Sequence, residues 1–172
     1  MEIKISPNGT PYIAFVSNGN AIIKKYNGNS WINLNSNIIA QVNWISFVID
    51  NNENIILTHS KNNISSIFAN KYNGSFWQSL DTIFGGIAGT DPYFTLEMSL
   101  NFEPYIVRPD FLGGDSITFA TYKYDNGIWN AITPLTVEAE IDEEQLASIF
   151  CVGYIPWLII PIVDFLFLHK SV

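Results

Sequence analysis

Few side chains in this sequence have the chemistry of a nucleophile or of a general base. A nucleophilic triad needs a base within reach of a serine, threonine or cysteine, and the two histidines are His59 and His169. We predict that His59 is a strand-end residue and His169 a tail residue, since neither lies in a recognisable motif. Cys151 lies in an apolar strand pattern, which predicts a small buried side chain and not an activated thiolate. No pair among the 16 acidic residues is nominated by its spacing, so the sequence predicts no catalytic residue.

Carboxylates and amides cluster at two places where a cation site has to be considered. The spacing of Asp50, Asn52 and Asn54 imitates the start of a calcium-binding loop, but Ile55 stands where such a loop needs glycine. We therefore predict a polar hairpin turn there. The acidic run at 137–145 is expected to be a solvated linker, because neighbouring acids do not by themselves converge on an ion. Cysteine pairs with metal-ligand spacing are absent from the sequence, so no metal site is predicted.

Phosphate recognition has little support in the residues. The glycine pairs at 85–86 and 113–114 lack the lysine and the following helix that a phosphate-binding loop requires. The net charge is −8 and Arg108 is the only arginine, so there is no basic stripe for nucleic acid. We predict no nucleotide, no other cofactor and no nucleic-acid partner.

Aromatic pairs are the remaining candidates for a binding role. Three segments each place a tyrosine five residues before a tryptophan around an Asn-Gly: Tyr26 with Trp31, Tyr72 with Trp77, and Tyr124 with Trp129. A tyrosine and a tryptophan that flank a four-residue loop are expected to lie opposite each other across a hairpin. Our first interpretation is that the pairs are hairpin clamps buried between neighbouring sheets. The second is that they stack on sugar rings, which makes these six residues the candidate ligand-binding residues.

The elements that position these pairs are short antiparallel strands in a repeat. The tryptophans recur at intervals of 46 and 52 residues, and a second marker precedes each pair. That marker is Pro11-Tyr12-Ile13, Asn54-Ile55-Ile56 and Pro104-Tyr105-Ile106, with a fourth copy at Pro156-Trp157-Leu158. Each marker closes a predicted hairpin and each aromatic pair closes another, so one repeat contains four strands. Such a unit has the size of a propeller blade, with sandwiches and β-solenoids as competitors.

The predicted fold class is therefore all-β, with antiparallel four-stranded repeats in a β-propeller-like array of about three and a half blades. The blade-like units of one repeat domain are expected at about 1–36, 42–80, 93–133 and, incomplete, 146–172. Strands are predicted near 2–6, 11–17, 21–26, 31–34, 44–49, 54–59, 64–72, 76–80, 94–100, 104–108, 116–124, 128–132, 147–152 and 156–160. An open array of this kind exposes a strand edge and an apolar face, which we expect a second copy related by a two-fold axis to cover. The alternative covers are a partner chain, a further part of the same polypeptide, or a bilayer around residues 149–168.

The repeat resembles the blade of bacterial surface and secreted β-propellers, and is broadly similar to Kelch-like and propeller-lectin repeats. The similarity rests on a turn with Asn-Gly, then Pro-Tyr-Ile, then Lys-Tyr-Asn-Gly-x-x-Trp. It implies binding of glycans or proteins at a cell surface or outside the cell, without fixing a ligand. Sialidases are also propellers, but their Asp-box is absent here and Arg108 alone cannot form an arginine triad.

The C-terminal run at 149–168 is long and apolar enough to span a membrane, with Asp164 as its one charge. It nevertheless contains the fourth Pro-aromatic marker, so we predict strands of a fourth blade, with a membrane helix as the alternative. The N-terminus reaches a turn before an apolar signal-peptide segment forms, and the compartment stays open.

The function predicted from the sequence is a non-catalytic recognition module for a glycan or a protein. The alternative is a structural subunit that assembles with copies of itself or with a partner to close a ring. A membrane-anchored binding protein is the remote alternative.

Overall fold

A computed structural model of the protein describes residues 1–34, 39–61, 64–83, 94–111, 116–138, 148–152, 155–162 and 165–170. Side chains are described as far as Ile132, except at 65 and 109–118. All regular elements in these ranges are β-strands, as the sequence predicted. The chain divides into two compact units, residues 1–91 and 92–172.

The first unit contains two antiparallel sheets. The first sheet has the order β1-β2-β3-β4, and the short β5 pairs with the other end of β3. Its strands are β1 (Glu2–Ile5), β2 (Pro11–Ser17), β3 (Asn20–Tyr26), β4 (Trp31–Asn33) and β5 (Ile39–Ala40). The second sheet has the order β6-β7-β8-β9. Its strands are β6 (Val42–Ile49), β7 (Ile55–Lys61), β8 (Ile64–Tyr72) and β9 (Trp77–Ser79).

The second unit also contains two antiparallel sheets. The third sheet of the chain has the order β10-β11-β12-β13, and the fourth has the order β14-β15-β16. The strands of the third are β10 (Thr95–Met98), β11 (Pro104–Phe111), β12 (Ser116–Asp125) and β13 (Ile128–Glu138). Those of the fourth are β14 (Ser148–Val152), β15 (Ile155–Ile162) and β16 (Phe165–Lys170).

The C-terminal apolar run thus forms strands, as its marker predicted. Within the described residues, no helix is long and apolar enough to cross a membrane. Two strands were not anticipated, β5 and β16. Strand β13 also extends to Glu138, into the run predicted to be a linker, while residues 139–145 and the two glycine pairs lie outside the described residues.

One turn design opens the first three sheets. In the first sheet the Gly9 N–H donates to the Ser6 carbonyl, and the Ser6 N–H donates to the Thr10 carbonyl. Asp50 and Ser99 begin turns with the same two bonds in the second and third sheets. This is the hydrogen-bond pattern of a hairpin in which a β-turn is followed by one residue of positive φ.

A side chain closes each of these turns as well. The oxygen of Ser6 accepts the N–H four residues later at 3.2 Å, Asp50 does so at 2.9 Å and Ser99 at 3.2 Å. The Asp50-Asn52-Asn54 segment is therefore the polar hairpin turn that we predicted. Since Ser6 and Asp50 are equivalent, Pro11 corresponds to Ile55, and the marker of the second sheet begins at Ile55, one residue later than predicted.

The core of the first unit lies between its two sheets. Side chains alternate across each strand, so the register places Tyr12, Ala14 and Ile23 on one face of the first sheet. These three residues are buried against Phe47, Leu57 and other side chains of the second sheet. One face of each of these sheets is thus turned to the other, and β6 and β7 of the second sheet are buried on both faces along most of their length.

Candidate functional site

The structure pairs the tyrosine of each of the three segments with its tryptophan across a hairpin, as predicted. The register joins Tyr26 to Trp31, Tyr72 to Trp77 and Tyr124 to Trp129. The ring centroids lie 5.4, 5.1 and 5.0 Å apart, in tilted arrangements. These distances are those of favourable aromatic pairs, which stabilise a hairpin by about 0.5–1.5 kcal/mol.

The surroundings of the pairs differ. Tyr72 and Trp77 pack against the core of the first unit, and the Trp77 indole Nε1 donates to the Leu34 carbonyl of the first sheet at 3.3 Å. This pair has the position of a clamp between neighbouring sheets. Trp31 is 42% exposed, whereas Trp129 is buried.

Four loops of the first unit lie at one end of its sheets, because each connects strands at the end where the aromatic pairs stand. We call the surface formed by residues 6–10, 27–30, 50–54 and 73–76 the turn end. Apart from Pro7 and Phe76, every residue in it is polar or glycine, and seven are asparagines. Asparagine side chains carry both hydrogen-bond donors and acceptors without charge.

An ion pair joins the two sheets at this end. The Lys25 Nζ lies 2.6 Å from Glu53 Oε2, and the Asn8 amide donates to Glu53 Oε1 at 2.6 Å. The Lys25 ammonium also lies 5.5 Å from the centre of the buried Tyr12 ring. We call Asn8, Tyr12, Lys25 and Glu53 the Lys25–Glu53 cluster. Side-chain exposures of 31% for Lys25 and 26% for Glu53 leave both charged groups accessible to solvent.

The cluster keeps its charges over a wide pH range. The hydrogen bond from Lys25 lowers the pKa of Glu53 against the opposing effect of partial burial, and the Asn8 amide lowers it further. The hydrogen bond to Glu53 raises the pKa of Lys25. Glu53 is therefore an ionised hydrogen-bond acceptor near neutral pH, and Lys25 is a donor.

The backbone of Glu53 is in the left-handed region, with φ of 60°. The equivalent residue of the first sheet is Gly9, with φ of 88°. A side chain in this region costs about 1 kcal/mol relative to glycine, and such outliers are concentrated at functional or ligand-contacting sites. Phe102, the equivalent residue of the third sheet, also has φ of 60°, so this conformation belongs to the turn and the contacts of the Glu53 carboxylate are additional to it.

The second unit has a related arrangement. Lys123 lies 2.7 Å from Glu103, and the Tyr105 hydroxyl donates to the same carboxylate at 3.2 Å. Lys123 and Tyr105 are equivalent to Lys25 and Tyr12. The acid, however, comes from the turn of the same sheet, whereas Glu53 reaches Lys25 from the neighbouring one.

Reasoning from the sequence missed these lysines and acids. The available signal was the lysine that precedes the tyrosine in each repeat, at positions 25, 71 and 123. The acids carried no such signal, since Glu53 and Glu103 occupy different positions in their turns.

His59 was predicted at a strand end, and this was wrong. It lies inside β7, is 3% exposed, and its Nε2 is 3.2 Å from Asn70 Oδ1. Burial lowers the pKa of His59 to about 4, against the opposing effect of the Asn70 contact. Arg108 is also buried, with its guanidinium 6.0 Å from the centre of the Tyr122 ring. The side chains of Cys151 and His169 lie outside the described residues.

In the described part of the chain, no group of three histidine, cysteine or acidic side chains could hold a metal ion. In the Lys25–Glu53 cluster, the Glu53 carboxylate is a hydrogen-bond acceptor that lies beside the Lys25 and Asn8 donors. This is hydrogen-bonding chemistry suited to neighbouring hydroxyl groups.

Fold and site together define an all-β, β-propeller-like protein built from antiparallel sheets. Comparison with known protein families found no matching family model, and a search of curated proteins found no match.

Solved structures that are similar to this chain include two lectins. The SapL1 lectin, in complex with alpha methyl fucoside, matches 94% of this chain at 11% identity with a TM-score of 0.68. The match spans 57% of that lectin's chain. A fucose lectin from Kordia zhangzhouensis, in complex with methyl-fucoside, has 15% identity and a TM-score of 0.47 over 75% of this chain and 94% of its own. The similarity to the SapL1 lectin supports the fold, whereas the Kelch-like part of the resemblance is not confirmed.

Proposed function

We propose that the protein is a non-catalytic recognition module that binds carbohydrate at the turn end of its first unit. The observation that carries this proposal is the Lys25–Glu53 cluster, in which a partly exposed carboxylate and ammonium and an exposed amide lie together between two sheets. Adjacent sugar hydroxyls can donate to the Glu53 carboxylate and accept from Lys25 and Asn8. The asparagine-rich loops around the cluster extend the same neutral hydrogen-bonding chemistry.

A sugar also presents an apolar face of C–H groups, which needs an apolar partner. Phe76 lies on the 73–76 loop of the turn end and is strongly exposed. It supplies a ring at the same end of the sheets as the cluster. The similarity in fold to a carbohydrate-binding lectin agrees with this function, although the proposal stands on the residues.

The cluster is suited to binding and not to proton transfer. A general acid works best when its pKa is close to the operating pH, and the pKa of Glu53 is moved further below neutrality. The carboxylate therefore remains an acceptor throughout the neutral range. The aromatic pairs are the second candidate for sugar contact, with exposed Trp31 as their most accessible member.

A glycan array probed with the labelled chain tests the proposal, followed by calorimetric titration of the best ligand. We expect binding to one or more glycans, and about tenfold or greater loss of affinity in Glu53→Gln and Asn8→Ala, since each removes a polar contact. Asn18→Gly is the matched control, because Asn18 lies on the β2–β3 turn at the opposite end of the sheet and glycine accepts its φ of 50°.

Three outcomes would contradict the proposal. The array finds no ligand, or both turn-end variants bind as the wild type does. In the third, Trp31→Ala abolishes binding while Glu53→Gln retains it, which assigns the sugar to the aromatic pair.

A further inference from the structure

One face of the first sheet is mostly apolar and open to solvent, and Lys24 is a charged side chain that lies on it, opposite Ile13. The strand register places these side chains together, with one aromatic pair at the edge. We call it the open face: Ile3, Ile5, Pro11, Ile13, Tyr26 and Trp31. Ile3 is 62% exposed and Ile5 is 61% exposed. Contiguous exposed apolar surface of this kind marks an interaction site or an aggregation hazard.

The second sheet shows what the same face does when it is covered. Counting from the equivalent turn residues Ser6 and Asp50, Ile3 corresponds to Phe47 and Ile5 to Ile49. Phe47 is 0% exposed and Ile49 is 7% exposed, because this face of the second sheet packs on the first sheet. The residue types on the two faces are alike, so the open face has the composition of a sheet-to-sheet interface.

Two polar bonds accompany the packing between the first and second sheets. The Trp77 indole donates to the Leu34 carbonyl at 3.3 Å, and the Phe47 N–H donates to Glu2 Oε2 at 3.1 Å. Trp31 and Ile3 are the equivalents of these two donors on the open face. A sheet that covers the open face therefore needs a backbone carbonyl at the position of Leu34, to accept from Trp31. It also needs a side-chain acceptor at the position of Glu2, to accept from the Ile3 N–H.

We infer that a second copy of this chain covers the open face, by seating one of its own sheets as the first sheet is seated on the second. The chain already contains this interface between its first and second sheets, so a repeated sheet of a second copy is a surface of related shape and chemistry. Two copies in a closed two-fold arrangement cover each other's open faces. They bring together eight sheets, twice the four of one chain, within the range of about four to eight blades known for propellers.

Size-exclusion chromatography with light scattering tests this inference on the whole chain. At tens of micromolar we expect a mass of about 39 kDa, twice the 19.4 kDa of one chain. The double variant Ile3→Glu/Ile5→Glu should run at 19.4 kDa, because burying two added carboxylates in a mostly apolar contact is costly. Both positions are strongly exposed, so the variant should fold, which its circular dichroism and melting temperature check.

Leu100→Glu is the matched control. Leu100 is 65% exposed on the β10–β11 turn and is not part of the open face, so this variant should remain a dimer. A wild-type monomer at these concentrations overturns the inference and assigns the open face to another partner. A dimer that survives Ile3→Glu/Ile5→Glu also overturns it, because the copies then meet elsewhere.

Discussion

The first and second sheets of this protein have the same turns, the same aromatic hairpin and apolar residues at the same positions of one face. In the second sheet that face is buried and holds Trp77, whereas in the first it is open and holds Trp31. This difference shows that each of the two repeats forms a sheet face that can pack on a neighbouring sheet. The face is buried only where such a neighbouring sheet is present.

The largest expected effect is a difference in stability between variants of the two equivalent tryptophans. In the monomeric Ile3→Glu/Ile5→Glu background, Trp77→Ala should lower the free energy of unfolding by about 3 kcal/mol, because it truncates a packed side chain and removes the bond to Leu34. Trp31→Ala should cost about 1 kcal/mol, mainly through loss of the ring contact with Tyr26, since this side chain is otherwise exposed in that background. Urea unfolding measures both. Equal losses of unfolding free energy in Trp31→Ala and Trp77→Ala would show that the two faces are equally packed, which would contradict the difference described above.

A second prediction concerns pH, because His59 stands where the first sheet has Phe15. The folded pKa of His59 is lowered to about 4 from the ordinary 6.5, so folding favours the neutral ring. Its contribution to stability is complete above pH 6.5 and is lost as the pH falls from 6.5 to 4. The total is about 3 kcal/mol, from about 1.4 kcal/mol for each pH unit.

Urea unfolding at a series of pH values measures how steeply the free energy of unfolding changes with pH. The matched variant His59→Phe, which copies the first sheet, should flatten the dependence most clearly between about pH 6.5 and 5.5, where Asp and Glu side chains with ordinary pKa values of about 3.9 and 4.3 are still ionised. An unchanged slope in His59→Phe would show that another group is responsible.

The smallest expected effect compares the left-handed turn residues Gly9 and Glu53. Gly9→Ala should cost about 1 kcal/mol, because its φ of 88° is strained for a side chain although a Cβ there meets no atom within 4 Å. Glu53→Gly relieves a similar strain but loses the partly exposed ion pair, itself worth up to about 1 kcal/mol. We therefore expect a net change near zero, measured by urea unfolding. A loss of several kcal/mol in Glu53→Gly would show that the ion pair is a principal contact between the two sheets.

Much of the fold could be predicted from the residues because its turns are held by hydrogen bonds between residues that are close in sequence. Asn-Gly in Tyr72-Asn73-Gly74 closes a loop through the Asn73 side chain, which accepts the N–H groups of Ser75 and Phe76 at 3.1 Å. Such bonds join residues two or three apart and do not depend on the rest of the chain. The alternation of apolar residues then sets the register of each hairpin.

The candidate site could not be predicted in the same way. Glu53 and Lys25 are 28 residues apart and belong to different sheets. Their contact depends on the packing of one sheet on another, which places turn 50–54 beside the end of β3. The third sheet shows how little the local pattern constrains this, because Lys123 takes its acid from its own turn.

By itself the sequence determined the hairpins, their aromatic pairs and the four-stranded repeat, since each follows from turn chemistry and alternation over a few residues. Only the tertiary structure decided which equivalent faces are covered. Ile3 and Phe47 hold the same position in their repeats, yet one is exposed and the other is buried. The physical reason is that burial is a property of the neighbouring surface, which the residues of a single repeat do not contain.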